Sequence, residues 1–272
     1  MSKKIGIPDE DPLKDCKKKI IEFMGHESCG ICSDSDLTDL SSLAQYGIGD
    51  KGRFIVSPAM AAKNDSDRIY AAYTLRFLAL VEKILDMKNK NICGEMTSIR
   101  LSWNCPKKES SDESFFLDST VPQIIDLAMF LAESEITQLY LEKVPRENTL
   151  FGLIMFENNI AAELEINEAL PDSVERTFFI KTNFTEGALT NMPLVGHFNE
   201  EGSIFATDEA ADRLIIEDHE FAELNEREIA YWRMLEAIIN ENYPTGAQNS
   251  ALILNALNES LASGKPYERK VK

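Results

Sequence analysis

The sequence predicts a short parallel α/β sheet followed by an α+β domain, the latter an open-faced, mainly antiparallel sheet with helices on one side. Three observations predict it. Residues 4–56 alternate brief apolar runs with helical patterns, as parallel strands joined by crossover helices do. Beyond Glu95, segments with alternating apolar and polar residues dominate, the mark of strands with one covered face. Two helices with terminal capping signals then close the chain.

In order, residues 4–8 read as a strand, 11–24 as a helix with Leu13, Ile20, Ile21 and Met24 apolar, and 28–32 as a strand. Residues 36–46 read as a helix and 53–56, Arg-Phe-Ile-Val, as a third strand. Residues 67–89 read as one long amphipathic helix, because Ile69, Tyr73, Phe77, Leu80, Val81 and Ile84 recur at steps of three and four. Strands are expected at 96–103, 136–144, 149–156, 160–166, 176–184 and 213–218, and a charged loop at 107–113 (KKESSDE). The helix at 121–132 is apolar on all sides, so it is expected between layers. Terminal helices are expected at 226–242, with Asn225 and Glu228 as a capping box, and at 248–263, ended by Gly264. The expected division is 1–92, including the helix at 67–89, and 93–272, with the helices at 226–263 packing back.

The bulk numbers exclude some functions. The chain has 272 residues, 28 basic and 46 acidic side chains and a formal charge of -18. Such a chain repels phosphate backbones and anionic membranes, so neither nucleic acid nor a membrane is an expected partner. No run approaches the roughly 18 consecutive apolar residues of a membrane helix, and MSKKIGIPDEDP lacks the apolar core of a signal peptide. A cytoplasmic location is the expectation. Five cysteines, an odd number without an export signal, read as thiols. Cys29 and Cys32 form a CxxC, but neither Cys93, Cys105 nor His26, His197 and His219 supplies a second compact pair, so no metal site is expected.

The stretches IVSPAMA (55–61), YTLRFLALVEKI (73–84), LDSTVPQIIDLAMFLA (117–132) and NALNESLASGKPYE (255–268), in this order, resemble the Gfo/Idh/MocA oxidoreductase family over about residues 50–268. The resemblance implies a Rossmann-like first domain that binds NAD or NADP. It also implies an open sheet that floors a substrate site and pairs subunits, and hydride transfer at a sugar or polyol carbon. It further implies a Glu-Lys-Pro at a strand end and a D-x-x-x-H-x-x-D opening the buried helix, since loss of hydride from an alcohol leaves a proton for a nearby group to accept.

The chain departs from both motifs. Aligned on Pro58, Val56 and Ser57 stand for the glutamate and lysine; aligned on Asp126, Gln123 stands for the histidine and Ser119 for the first aspartate, with Asp118 one residue out of register. Serine and glutamine hydrogen-bond hydroxyls but do not accept protons near neutrality. A dinucleotide's pyrophosphate needs G-x-G-x-x-G after the first strand. Here Gly6 is followed by Ile7-Pro8-Asp9-Glu10-Asp11-Pro12, three carboxylates and no further glycine. The first sheet is thus a reduced Rossmann-like one, with little chain before Pro58 for two mononucleotide halves.

Each candidate residue has a structural and a functional reading. Ser57 and Pro58 are a loop turn or a ligand contact at a strand end, Gln123 a capping-box partner of Thr120 or a ligand contact, and Arg76 an ion-pair partner or an anion contact. Trp103 is a buried strand residue or a stacking surface, and Asp118 a turn carboxylate or a weak candidate base. No other catalytic residue is expected. The leading expectation is an oxidoreductase-like protein without dehydrogenase chemistry or nicotinamide cofactor, binding a small sugar-like ligand between its domains or its own copies through the open sheet. The alternative is an NAD(P)-dependent sugar or polyol dehydrogenase with an atypical cofactor site, and a third reading is a non-catalytic subunit of a hetero-complex.

Overall fold

The computed structural model describes residues 2–30, 35–42, 52–64, 66–192, 203–207, 211–214, 224–243 and 247–269. By packing, the chain forms two units. The first comprises Met1–Leu78, Leu117–Gln123 and Glu220–Leu254; the second comprises Ala79–Phe116, Ile124–His219 and Asn255–Lys272.

The first unit is built on a parallel sheet of five strands, β1 (Lys4–Gly6), β2 (Glu27–Cys29), β3 (Leu37–Asp39), β4 (Arg53–Val56) and β5 (Ile69–Ala71), in the order β2-β1-β3-β4-β5. Every pairing is parallel, with Gly6 opposite Thr38, Thr38 opposite Phe54 and Ile55 opposite Tyr70. The order reverses at β1, which has β2 on one side and β3 on the other. This is a doubly wound sheet with one strand fewer than the six of a full dinucleotide-binding domain. Helix α1 (Lys14–Phe23) joins β1 to β2, and its Ile20 and Ile21 are buried against Ile5, Ile7, Leu37 and Ile55. Helix α6 (Glu226–Ile239), from far along the chain, adds Tyr231, Met234, Leu235 and Ile238 to the same core. Burying a side chain of this kind stabilises by about 1.5–3 kcal/mol, so α6 is an integral part of the first unit's core.

Two sequence expectations are corrected here. The helix expected at 67–89 is three elements: β5, a 3-10 turn at Thr74–Phe77, and α3 (Ala79–Asn89). Ile69, Tyr70 and Ala71 are all buried, and their ladder to β4, with Tyr70 packed 6.3 Å from the Tyr243 ring, outweighs the helical spacing. Leu78 then adopts an extended conformation, which separates the turn from α3. The helix expected at 36–46 begins instead as β3, because Leu37 and Thr38 have parallel partners on both sides; residues 43–46 lie outside the described residues. The strand expected at 28–32 is present as Glu27–Cys29, and Cys32 also lies outside the described residues.

The second unit carries a nine-stranded sheet of order β13-β12-β11-β10-β6-β9-β8-β7-β14, with β6 (Met96–Pro106), β7 (Ile136–Lys143), β8 (Thr149–Phe156), β9 (Ala161–Leu170) and β10 (Thr177–Phe184) at its centre. The edges are β11 (Gly187–Thr190), β12 (Ser203–Thr207) and β13 (Ala211–Leu214) on one side and β14 (Tyr267–Glu268) on the other. All pairings are antiparallel except β6 with β9. The alternation read from the sequence is visible on β8. Leu150, Ile154 and Phe156 are buried, whereas Phe151, Leu153 and Met155 are 48%, 59% and 39% exposed. The strand expected at 213–218 starts within β13, and its remainder, like His197 and His219, lies outside the described residues.

Before the buried helix α5 (Val121–Ala132) the chain is already helical, through a single turn α4 (Glu113–Phe115) and a wider π-type turn at Phe116–Thr120. Asp112 caps this entry by accepting from the Phe115 N–H at 2.9 Å. Pro122 explains the wide turn: it has no N–H for the Asp118 carbonyl four residues back, and its ring would strike that carbonyl in regular α-winding. Glu113–Ala132 is long and apolar enough by length and composition to cross a membrane, but 67% of its most apolar window is buried inside the protein. Ile124, Ile125, Leu127 and Leu131 are fully buried, which is the fate expected of a helix apolar on all sides. Near the end, Asn225 and Glu228 form the expected capping box of α6, and α7 (Ala247–Ser263) stops at Gly264, whose φ of +61° suits glycine.

Candidate functional site

In a doubly wound sheet, ligands bind beyond the carboxyl ends of the strands, where the strand order reverses. In the first unit that place lies between β1 and β3. The segment leaving β1 carries Asp9, Glu10 and Asp11 and turns directly into α1. Asp11 accepts from the Leu13 N–H through its carboxylate at 2.7 Å and from the Lys14 N–H through its carbonyl at 3.1 Å. Beside it, the Lys17 ammonium donates to Asp11 Oδ2 at 2.8 Å, and lies 3.1 Å from Asp39 Oδ1 and 3.2 Å from Ser41 Oγ. Asp39 Oδ1 also accepts from the Ser41 N–H and hydroxyl, and Asp39 Oδ2 from the Tyr231 hydroxyl on α6.

The side chains of Asp11 and Asp39 are wholly buried and that of Lys17 is 4% exposed. Burial pushes the Asp39 carboxyl up, but the Lys17 ammonium and the Ser41 and Tyr231 donors outweigh it and leave the group below the usual carboxylate range. Burial and then the Asp39 carboxylate raise the Tyr231 phenol well above its ordinary value. At neutral pH Asp39 is therefore a carboxylate and Tyr231 a neutral phenol.

This segment differs from a usual diphosphate seat. The usual partners of a dinucleotide's diphosphate are unoccupied N–H groups at the start of the first helix, and here Asp11 takes those of Leu13 and Lys14. Three carboxylates lie on this segment, of which Asp9 is paired with Lys14 and Asp11 with Lys17. At Gly6 the space a Cβ would take is already filled, since it would meet Ser35 Oγ at 2.9 Å and Thr38 Oγ1 at 3.3 Å.

A second group of residues lies at the carboxyl ends of β4 and β5. Ser57 follows β4 and is 2% exposed; its hydroxyl accepts from the Met60 N–H at 3.4 Å, and Pro58 opens the short helix α2 (Pro58–Ala62). Beyond β5, the Thr74 hydroxyl donates to Gln123 Oε1 at 3.1 Å, and Gln123 Nε2 donates to Ser119 Oγ at 3.3 Å. The Arg76 guanidinium lies 5.0 Å from the centre of the Tyr73 ring, whose hydroxyl is 2.6 Å from Ser250 Oγ. The capping-box reading of Gln123 is corrected by this geometry. Thr120 lies inside a helix that begins at Glu113, so its amide is not a helix end, and Gln123 instead ties that helix to Thr74.

Ser57, Pro58, Arg76, Gln123 and Asp118 all belong to the first unit. Asp118 is half-buried in the π-type turn. Trp103 belongs to the second unit, where its ring meets Phe178 edge-on at 5.7 Å and carries the Arg176 guanidinium at 5.5 Å. Sequence reasoning missed Lys17, Asp39 and Tyr231. One signal was available: Lys17 falls between Leu13 and Ile20–Ile21 on the apolar side of α1, so a charge there calls for a buried partner.

A doubly wound sheet followed by an open, mainly antiparallel sheet is the fold of oxidoreductases of the Gfo/Idh/MocA type, and the chain has that fold. No family model and no curated protein matches the sequence. Among solved structures the chain is similar to an oxidoreductase from Agrobacterium radiobacter in complex with NAD+, L-tartaric acid and magnesium, with a TM-score of 0.70 and 11% identity over 98% of each chain. It is similar to a myo-inositol dehydrogenase from Corynebacterium glutamicum (TM-score 0.67, 11% identity, 100% of both chains). A scyllo-inositol dehydrogenase from Lactobacillus casei with bound NAD(H) and scyllo-inositol gives a TM-score of 0.64 and 13% identity over 98% of this chain and 99% of that one. At such identities the likeness establishes the fold.

Proposed function

We propose that this chain is an oxidoreductase-fold protein that does not work as a nicotinamide-dependent dehydrogenase. Its remaining roles are to bind a small polar ligand at the first sheet's strand ends and to pair with its own copies. The carrying observation is the start of α1, where Asp11 takes the Leu13 and Lys14 N–H groups that a diphosphate would need. The residues standing for the lysine and histidine of the related motifs support the same reading, because Ser57 caps a helix and Gln123 bridges Ser119 and Thr74. Neither can take up a proton near neutrality. Ser57, Thr74 and Arg76 beyond two adjacent strands, with Gln123 of α5 bonded to Thr74, suit a ligand rich in hydroxyls, such as a sugar or polyol. The test is calorimetric titration with NAD and NADP; micromolar affinity for either contradicts the reading.

Pairing is proposed through the exposed face of the second unit's sheet. Phe151, Leu153 and Met155 form an exposed apolar row on β8, and exposed apolar rows of this kind mark contact surfaces. Light scattering that reports a monomer at micromolar concentration contradicts it.

A second reading is favoured by the similar structures described with NAD+ and NAD(H). It makes the chain an NAD(P)-dependent sugar or polyol dehydrogenase that holds its cofactor atypically, with Asp118 as the base. It requires cofactor-dependent turnover of some polyol that is lost in Asp118→Asn, and no turnover across a broad polyol panel counts against it.

A further inference from the structure

The cluster at the β1–β3 switch point has the composition of an ammonium-binding site. A lysine ammonium has three donors; that of Lys17 donates to Asp11 Oδ2 at 2.8 Å and to Ser41 Oγ at 3.2 Å, and is ion-paired with Asp39 Oδ1 at 3.1 Å. The Tyr231 ring lies beside the same nitrogen, its centre 5.8 Å away, within range of a cation–π attraction. The cage is itself held rigid. Asp11 Oδ1 is fixed by the Leu13 N–H, Asp39 Oδ1 by the Ser41 N–H and hydroxyl, and Asp39 Oδ2 by the Tyr231 hydroxyl, so every carboxylate oxygen of the pair has a donor. These groups come from the turn after β1, from β3 and the turn after it, and from α6. Without a cation the cage would hold two buried carboxylates and no counter-charge, a costly arrangement.

We propose that Asp11, Asp39, Ser41 and Tyr231 form an ammonium-accepting cage that the chain fills with its own Lys17, so that the segments leaving β1 and β3 are tied to α1 and α6 by a tethered ligand. The cage is a property of the first unit alone and does not rest on the question of nicotinamide binding. That question is answered by titrating the wild-type chain with a dinucleotide, and this one by supplying an amine. In Lys17→Ala the β-carbon is kept and the missing portion corresponds to propylammonium. The expected result is a concentration-dependent rise in Tm with propylammonium chloride that equimolar tetramethylammonium chloride does not give, with no such difference in the wild type. A folded Lys17→Ala that responds to both salts alike overturns the proposal.

A measurement on the wild-type chain guards against a variant that fails to fold. Under limited acetylation read by peptide mass spectrometry, Lys17 is expected to react at least ten times more slowly than the neighbouring exposed Lys18 and Lys19. In Asp39→Asn its rate is expected to approach theirs. Acetylation of wild-type Lys17 at the rate of Lys18 overturns the proposal as well.

Discussion

Replacing Lys17 by methionine isolates the charge, because the two side chains are similar in length and shape. In the wild type the ammonium is nearly inaccessible and faces two wholly buried carboxylates. Methionine removes the counter-charge and leaves Asp11 and Asp39 together in the interior. Breaking a buried pair by deleting one partner costs about 3–5 kcal/mol. Trp232 lies on α6, in the first unit, and Trp103 lies in the second, so in a Trp103→Phe background tryptophan fluorescence reports on the first unit. With a urea dependence of about 2 kcal/mol per M, the midpoint of that transition is expected to fall by about 1.5–2.5 M. Adding Asp11→Leu and Asp39→Leu to Lys17→Met is expected to recover most of the loss, since apolar replacement of a whole buried ion cluster is often neutral. A midpoint within about 0.3 M of the wild type in Lys17→Met alone refutes the claim that the cluster holds the first unit together.

Acid sensitivity follows from the same cluster. The folded pKa of Asp39 is depressed, so its contribution is present above the unfolded carboxyl value of about 3.9 and is lost as pH falls through the folded value. The urea midpoint of the first unit is expected to drop steeply below about pH 4 and to do so less steeply in Asp39→Asn; equal slopes contradict this. Gly94 has a φ of +75°, and a Cβ there would lie 2.0 Å from Thr185 Oγ1. Gly94→Ala is therefore expected to cost at least about 1 kcal/mol, read as a lower melting temperature, and an unchanged value contradicts it. On the exposed sheet face, Leu153→Arg is expected to shift the chain toward monomer in light scattering with its far-UV circular dichroism unchanged, and a mass equal to the wild type's argues against pairing there.

Much of the second unit was legible in the sequence because period-two alternation is unambiguous on strands with one covered face. The residues at 149–156 read as a strand and form β8 with those bounds. The first unit was harder. Its strands are only three or four residues long, too short for a period to register, and Ile69, Tyr73 and Phe77 mimic a helical stripe although the first is on a strand and the last in a 3-10 turn. The π-type turn could not be read either, since it arises from one residue, Pro122, acting on a carbonyl four positions earlier. Of the candidate residues, Ser57, Pro58 and Arg76 follow β4 and β5 in the first unit; Asp118 and Gln123, expected within 93–272, belong to that unit as well through the entry to α5, and Trp103 belongs to the second. Beyond the charge of Lys17 on the apolar side of α1, the switch-point cluster could not be read, because Asp39 and Tyr231 are 192 residues apart and meet only when α6 packs on the first sheet.

The central proposal is that the start of α1 does not seat a dinucleotide's diphosphate. Isothermal titration of the full chain with NAD and with NADP measures this directly. No saturable heat up to millimolar cofactor is the result the account predicts, and a 1:1 isotherm with a micromolar Kd for either would contradict it.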